Sequence, residues 1–190
     1  MADRAFVQPP SMTGLGPGLS FGKELMKKNP DFISILLIPT AIGGSSIGQW
    51  LRNGQHRNIA LFTNFEDKVA LGQNYGTIKG VLWHQGESDA RQKFTIHEYD
   101  KNLVLLVSKF RMAANDKQLP VIIGELGNYS KNQDNRNRLN LKRLTYSKTD
   151  SLVKLVSSSG LTGKGNRLHF NSKIMRLLGQ RYAEKVLELG

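Results

Sequence analysis

Three short stretches gather the residues best suited to chemistry: AIGGSSIGQW at positions 41–50, WHQGESDA at 83–90, and SSSGLTGKGNRLHF at 157–170. In the first, Gly43 and Gly44 let backbone N–H groups approach a ligand, as stabilisation of a developing oxyanion requires. Ser45 and Ser46 follow them, and the same run also suits a tight strand-to-helix turn. In the second, Gln85 supplies a neutral amide donor beside Gly86, Glu87 and Asp89, although a solvated polar turn would have this composition too. His84, Glu87 and Asp89 lack the two-histidine helical spacing of zinc motifs, so no metal site is expected. In the third, His169 precedes the last helical pattern, where a loop can hold an imidazole facing a site, as a general base needs. His56 and His97 carry no such context.

These stretches must be positioned by regular elements. Apolar, β-rich runs at Ile33–Ile38, Ile78–His84, Val121–Leu126 and Leu152–Ser157 read as strands, most of them bounded by Pro, Gly, Asn or Ser. Amphipathic patterns predict helices at Leu19–Lys28, about Ile59–Asn74, about His97–Asn115, about Arg136–Ser147 and Ser172–Leu189. Alternation of this kind predicts an α/β chain, a parallel sheet between helix layers. All three polar stretches then fall in loops beyond the carboxyl ends of strands, where such sheets place their sites.

The 190-residue length fits one domain. With no cysteine there is no disulfide, zinc-thiolate site or thiol nucleophile, so any catalysis uses oxygen or nitrogen groups. The longest strictly apolar run, Leu103–Val107, is far short of the roughly 20 residues a membrane-spanning helix needs, and no membrane association is expected. The first residues, MADRAFVQPP, lack the pattern of a signal peptide, and compartment stays open. Twenty-seven basic against fifteen acidic side chains give a charge of +12, which favours acidic partners. The basic residues cluster from Lys131 to Lys148, with few aromatics among them. That cluster reads as a helix with Leu139, Leu141 and Leu144 inward and its Arg and Lys residues in water, rather than as a nucleic-acid surface. Gly160, Gly163 and Gly165 fail the phosphate-loop pattern because Gly165 follows Lys164, which argues against nucleotide binding.

Taken in order, GLGPGLSFGKEL (14–25), AIGGSSIGQW, GVLWHQGESDA (80–90) and GLTGKGNRLHFNSKIMRLLGQRYAE (160–184) resemble the carbohydrate acetylesterases of the SGNH hydrolase superfamily, the sialate O-acetylesterase-like and acetyl xylan esterase-like proteins. The resemblance runs from about Gly14 to Leu187. It implies a flavodoxin-like three-layer α/β/α sandwich, an acetylated carbohydrate as substrate, no cofactor, and hydrolysis by a serine–histidine–aspartate mechanism. By the same resemblance His169 matches the base, Gly44 (or Gly43) the glycine oxyanion donor and Gln85 the side-chain oxyanion donor, with Gly86 and Glu87 in the same motif.

Two departures stand against that match. No GQSN-type nucleophile motif occurs, and Asn166 stands three residues before His169 where the family has Asp. An amide neither stabilises an imidazolium nor selects its tautomer, and the comparable change in a serine protease costs about 10⁴ in rate. Ser20, in the G-x-S-x-G run Gly18–Gly22, follows a loop-like stretch and not the hydrophobic strand a nucleophile elbow needs. The resemblance therefore leads to the expectation of a single domain lacking its first strand and nucleophile loop, impaired or inactive as an esterase. The alternative expectation is a non-catalytic carbohydrate-binding or interaction protein on the same fold, with oligomeric state open.

Overall fold

In the computed structural model, residues 16–129, 133–163 and 170–189 are described. Among the described residues the central sheet has three parallel strands in the order β3 (Val81–Trp83), β4 (Val121–Gly124) and β5 (Val153–Val156). Val81 pairs with Val121 and Val121 with Val153, so the three strands start level. A small antiparallel hairpin, β1 (Gln55–His56) and β2 (Ile59–Ala60), lies apart from it. Its turn residues Arg57 and Asn58 both have positive φ, as a primed two-residue turn requires.

Side-chain alternation along β4 shows why this apolar run makes a strand between two layers. Val121 and Ile123 join one core with Phe62 and Phe65 of α3 (Leu61–Gln73), Leu106 and Phe110 of α5 (Tyr99–Ala113), and Leu139 of α6 (Gln133–Thr149). Ile122 joins the opposite core with Phe21 and Leu25 of α1 (Gly18–Met26) and Leu178 and Tyr182 of α7 (Ser172–Leu187). Both faces are covered, and the α/β fold expected from the sequence is the one found. Two short helices were not expected: α2 (Ile47–Leu51) and α4 (Lys93–His97) sit inside stretches that read as loop.

Two local readings are corrected. The run Ile33–Ile38 forms no ladder with another strand among the described residues. Its side chains still point alternately, Leu37 against Gly22 of α1 and Ile38 against Gly72 of α3. A strand-like pattern alone makes no strand without a neighbouring backbone to bond.

The basic helix is the second correction. Leu139 is buried as expected, but Leu141 is 62% exposed and Leu144 39%. The inward stripe is instead Arg136, Leu139, Arg143 and Tyr146, with Arg143 fully buried. The cause lies at the end of β4, where the chain leaves the sheet with carbonyls that need donors. Arg143 Nη1 donates to Gly124 O at 2.9 Å, Asn140 Nδ2 to Leu126 O at 2.9 Å, and Arg136 Nη1 to Gly127 O at 3.0 Å. Asn140 Oδ1 also accepts from Leu126 N at 2.8 Å. Bonds to Gly124 O and Tyr99 Oη satisfy the two terminal nitrogens of Arg143, which is what lets a buried cation be tolerated here, while its Nε has no partner among the described residues.

Candidate functional site

The loop at 41–50 turns at Gly44, whose φ of +89° disfavours any residue with a side chain. Both serines that follow are committed to the loop itself. Ser45 is buried, donates to Ile42 O at 2.8 Å and accepts from Trp50 Nε1 at 2.9 Å. Ser46 caps α2: its hydroxyl accepts from Gln49 N at 3.3 Å, while its own N–H donates to Gln49 Oε1 at 2.9 Å. His56 Nε2 lies 3.1 Å from Gly43 O, so the small hairpin braces the turn from outside. Among the described residues, the N–H groups of Gly43 and Gly44 have no acceptor.

Three hydrogen bonds tie the second loop, 83–90, to the first, the third of them from Ile47 N to Asp89. Ser88 Oγ donates to Gly44 O at 2.7 Å, and Gln85 Nε2 donates to Ser45 O at 2.9 Å. Gln85 Nε2 also donates to Asp89 Oδ2, which takes a further bond from Ile47 N at 3.0 Å. Asp89 is buried, and that burial pushes its carboxyl above the usual carboxylate range, against the opposing pull of Gln85 and Ile47. The amide of Gln85 thus spends its donors on joining the two loops. Its Oε1 is buried and without a partner among the described residues.

His84 closes the end of β3. Its Nδ1 lies 3.2 Å from Tyr182 Oη, and that hydroxyl donates to Trp83 O at 3.2 Å. Packing around the ring lowers its pKa to about 4, partly countered by the charge of Glu87, so the imidazole is neutral near pH 7. Burial raises the Tyr182 phenol well above its usual range. Phe170 packs 5.8 Å from the His84 ring, centroid to centroid, and 5.2 Å from that of Tyr129. The third loop therefore returns to this same edge at Phe170.

The loop that holds Gly43 and Gly44 and the loop that holds Gln85, Gly86 and Glu87 meet beyond the carboxyl end of β3. His169 and Asn166 lie outside the described residues. Ser20 sits in the first turn of α1, donates to Pro17 O at 3.0 Å and packs against Gly179 of α7. No serine hydroxyl is hydrogen-bonded to a histidine among the described residues, and no cluster of His, Asp and Glu there has the make-up of a metal site.

Sequence reading missed Arg143. Its Nη2 donates to Tyr99 Oη at 2.8 Å and to Gln85 O, fixing the backbone directly under the site. The one available signal was the spacing of Arg136 and Arg143, which share a face of α6 with Leu139 and Tyr146.

Residues 2–188 match the family model described as carbohydrate esterase, sialic acid-specific acetylesterase. A probable carbohydrate esterase of Arabidopsis thaliana, At4g34215, is 32% identical over 178 residues, covering 92% of this chain and 64% of that protein. The chain therefore spans about two thirds of that relative's length. The X-ray structure of the Arabidopsis AT4G34215 protein superposes with a TM-score of 0.81 at 26% identity, covering 96% of this chain and 72% of the other.

Proposed function

Because the chain belongs to the sialic acid-specific acetylesterase family of carbohydrate esterases, we propose that its sheet edge receives an O-acetyl group carried on a sugar and that its hydrolytic power is impaired. The observation that supports this most is the joining of the 43–46 and 85–89 loops by Gln85 and Ser88, with the Gly43 and Gly44 N–H groups left without acceptors among the described residues. An ester carbonyl is a ligand that such donors suit, and charge developing on its oxygen would be held by them. In this reading His169 is the base. Asn166 replaces the carboxylate that would orient it, and Glu87 supports the loop. Gln85 serves an oxyanion only when one of its N–H groups leaves Ser45 or Asp89, so its part in the described geometry is to join the loops.

A second reading, a carbohydrate-binding protein without catalysis, is favoured by one observation: among the described residues, which do not include His169, the hydroxyls of Ser45, Ser46 and Ser20 are bonded within their own loops or helix and none to a histidine. Release of nitrophenol from an aryl acetate, measured beside a His169→Ala preparation, separates the two. Turnover that disappears with His169 supports an impaired esterase. Equal rates in both preparations leave the binding reading, which titration with an O-acetylated and a deacetylated xylo-oligosaccharide then tests.

A further inference from the structure

We infer that Arg143 is a positioning residue that clamps the Gln85–Gly86 peptide and presents the Gly86 N–H as a hydrogen-bond donor at the sheet edge; this rests on the acetyl-ester reading above. The guanidinium is fully buried, yet it is ion-paired with no carboxylate among the described residues. Its acceptors are neutral: Gln85 O, Gly124 O, Tyr99 Oη and, at 3.3 Å, Asn140 Oδ1. Burying an unpaired cation is costly, and an apolar side chain of similar volume would commonly fill such a space as well or better. What the apolar side chain could not do is hold two strand-end carbonyls at once, one after β3 and one at the end of β4.

The consequence follows from peptide geometry. A trans peptide is planar, with its C=O and N–H pointing in opposite directions. Since Gln85 O faces Arg143, the N–H of Gly86 points away from the guanidinium. Gly86 is buried, and among the described residues its N–H has no acceptor. A backbone donor at the sheet edge with no acceptor among the described residues is one that a ligand oxygen can take. Ser88, two residues on, is bonded to Gly44 O, so the Gly86 and Gly44 donors belong to two loops that are tied together. The positive charge behind the Gln85–Gly86 peptide polarises it in the sense that strengthens this donor.

The test uses the full chain, the variants Arg143→Ala and Arg143→Lys, and Arg138→Ala as a control on the exposed face of α6. Amide NMR follows Gly86 in the free protein and on addition of O-acetylated xylobiose. The expected result is a Gly86 amide that shifts with the acetylated sugar in the wild type and in Arg138→Ala. In Arg143→Ala it exchanges with solvent about tenfold faster or more and loses the response, and added guanidinium restores both. Any His169-dependent turnover falls by up to about 10²-fold in kcat with a smaller change in KM. Should Arg143→Ala fail to fold, Arg143→Lys decides: a cation without the fork holds one carbonyl at most and gives a partial loss. An unchanged Gly86 exchange rate in a folded Arg143 variant overturns the inference. A wild type whose Gly86 is protected but ignores acetylated sugars overturns the acetyl-ester reading and leaves the clamp standing.

Discussion

Arg143 Nη2 lies in the space that a Cβ on Gly86 would occupy, and Gly86 itself has a φ of +142°. Sterics and backbone therefore exclude a side chain there independently. Gly86→Ala should destabilise the fold by about 1–3 kcal/mol, a cost set by the unfavourable φ and by displacement of the guanidinium. Urea unfolding against the wild type measures it, and a change within error would show that the turn relaxes.

The neutral His84 predicts an acid-sensitive stability. Its folded pKa, about 4, lies below the unfolded value near 6.5. At pH 7 both states are neutral and nothing is lost. As pH falls from about 6.5 towards 4 the unfolded chain takes up a proton that the folded chain resists, and stability drops by about 1–3 kcal/mol before levelling off. His84→Phe should remove that slope over the same window. Chemical unfolding at pH 7 and pH 5 for both proteins checks it, and parallel losses in the two would assign the acid sensitivity elsewhere.

Arg111 and Asp150 form a two-pronged ion pair, at 2.7 and 3.2 Å, between the end of α5 and the turn that leads into β5. The bonds from Arg111 hold the Asp150 carboxyl below its usual range, and Asp150 also accepts from Leu152 N at 3.1 Å. The folded pKa is depressed, so the pair contributes above the unfolded value near 3.9 and is lost as pH falls through the folded one. Asp150→Asn should cost about 1–2 kcal/mol at pH 7 and much less near pH 2. Thermal unfolding at the two pH values reads the difference.

Ser45 offers a contrast between structure and chemistry. Ser45→Ala leaves the buried Trp50 Nε1 without its acceptor and should lower stability by about 1–3 kcal/mol. Since its hydroxyl is bound inside the loop, any aryl-acetate turnover should survive the change at 10 °C. Complete loss of turnover in a folded Ser45→Ala would instead identify Ser45 as a nucleophile.

The parts of this molecule legible in the sequence are those governed by apolar periodicity. Val121–Gly124 is buried on both sides and reads as a strand from its composition alone. The place of Gln85 and Glu87 beyond the carboxyl end of β3 follows from where loops fall in a parallel sheet. Arg143 was hidden because periodicity ranks residues by hydrophobicity, whereas the inward face of α6 is chosen by the carbonyls of Gly124, Leu126 and Gly127. The run Ile33–Ile38 carries a strand's side-chain alternation, but ladder formation depends on a partner that no local pattern encodes. The short helix α2 depended on a capping box, Ser46 with Gln49, concealed inside a stretch rich in glycine and serine.

The most direct test of the central claim is an amide NMR titration of the wild-type chain with O-acetylated xylobiose, run beside the deacetylated sugar. The account predicts saturable shifts at Gly43, Gly44 and Gly86 with the acetylated ligand that are absent or much weaker with the deacetylated one. Shifts confined to residues away from the 43–46 and 85–89 loops, or identical for the two sugars, would contradict it.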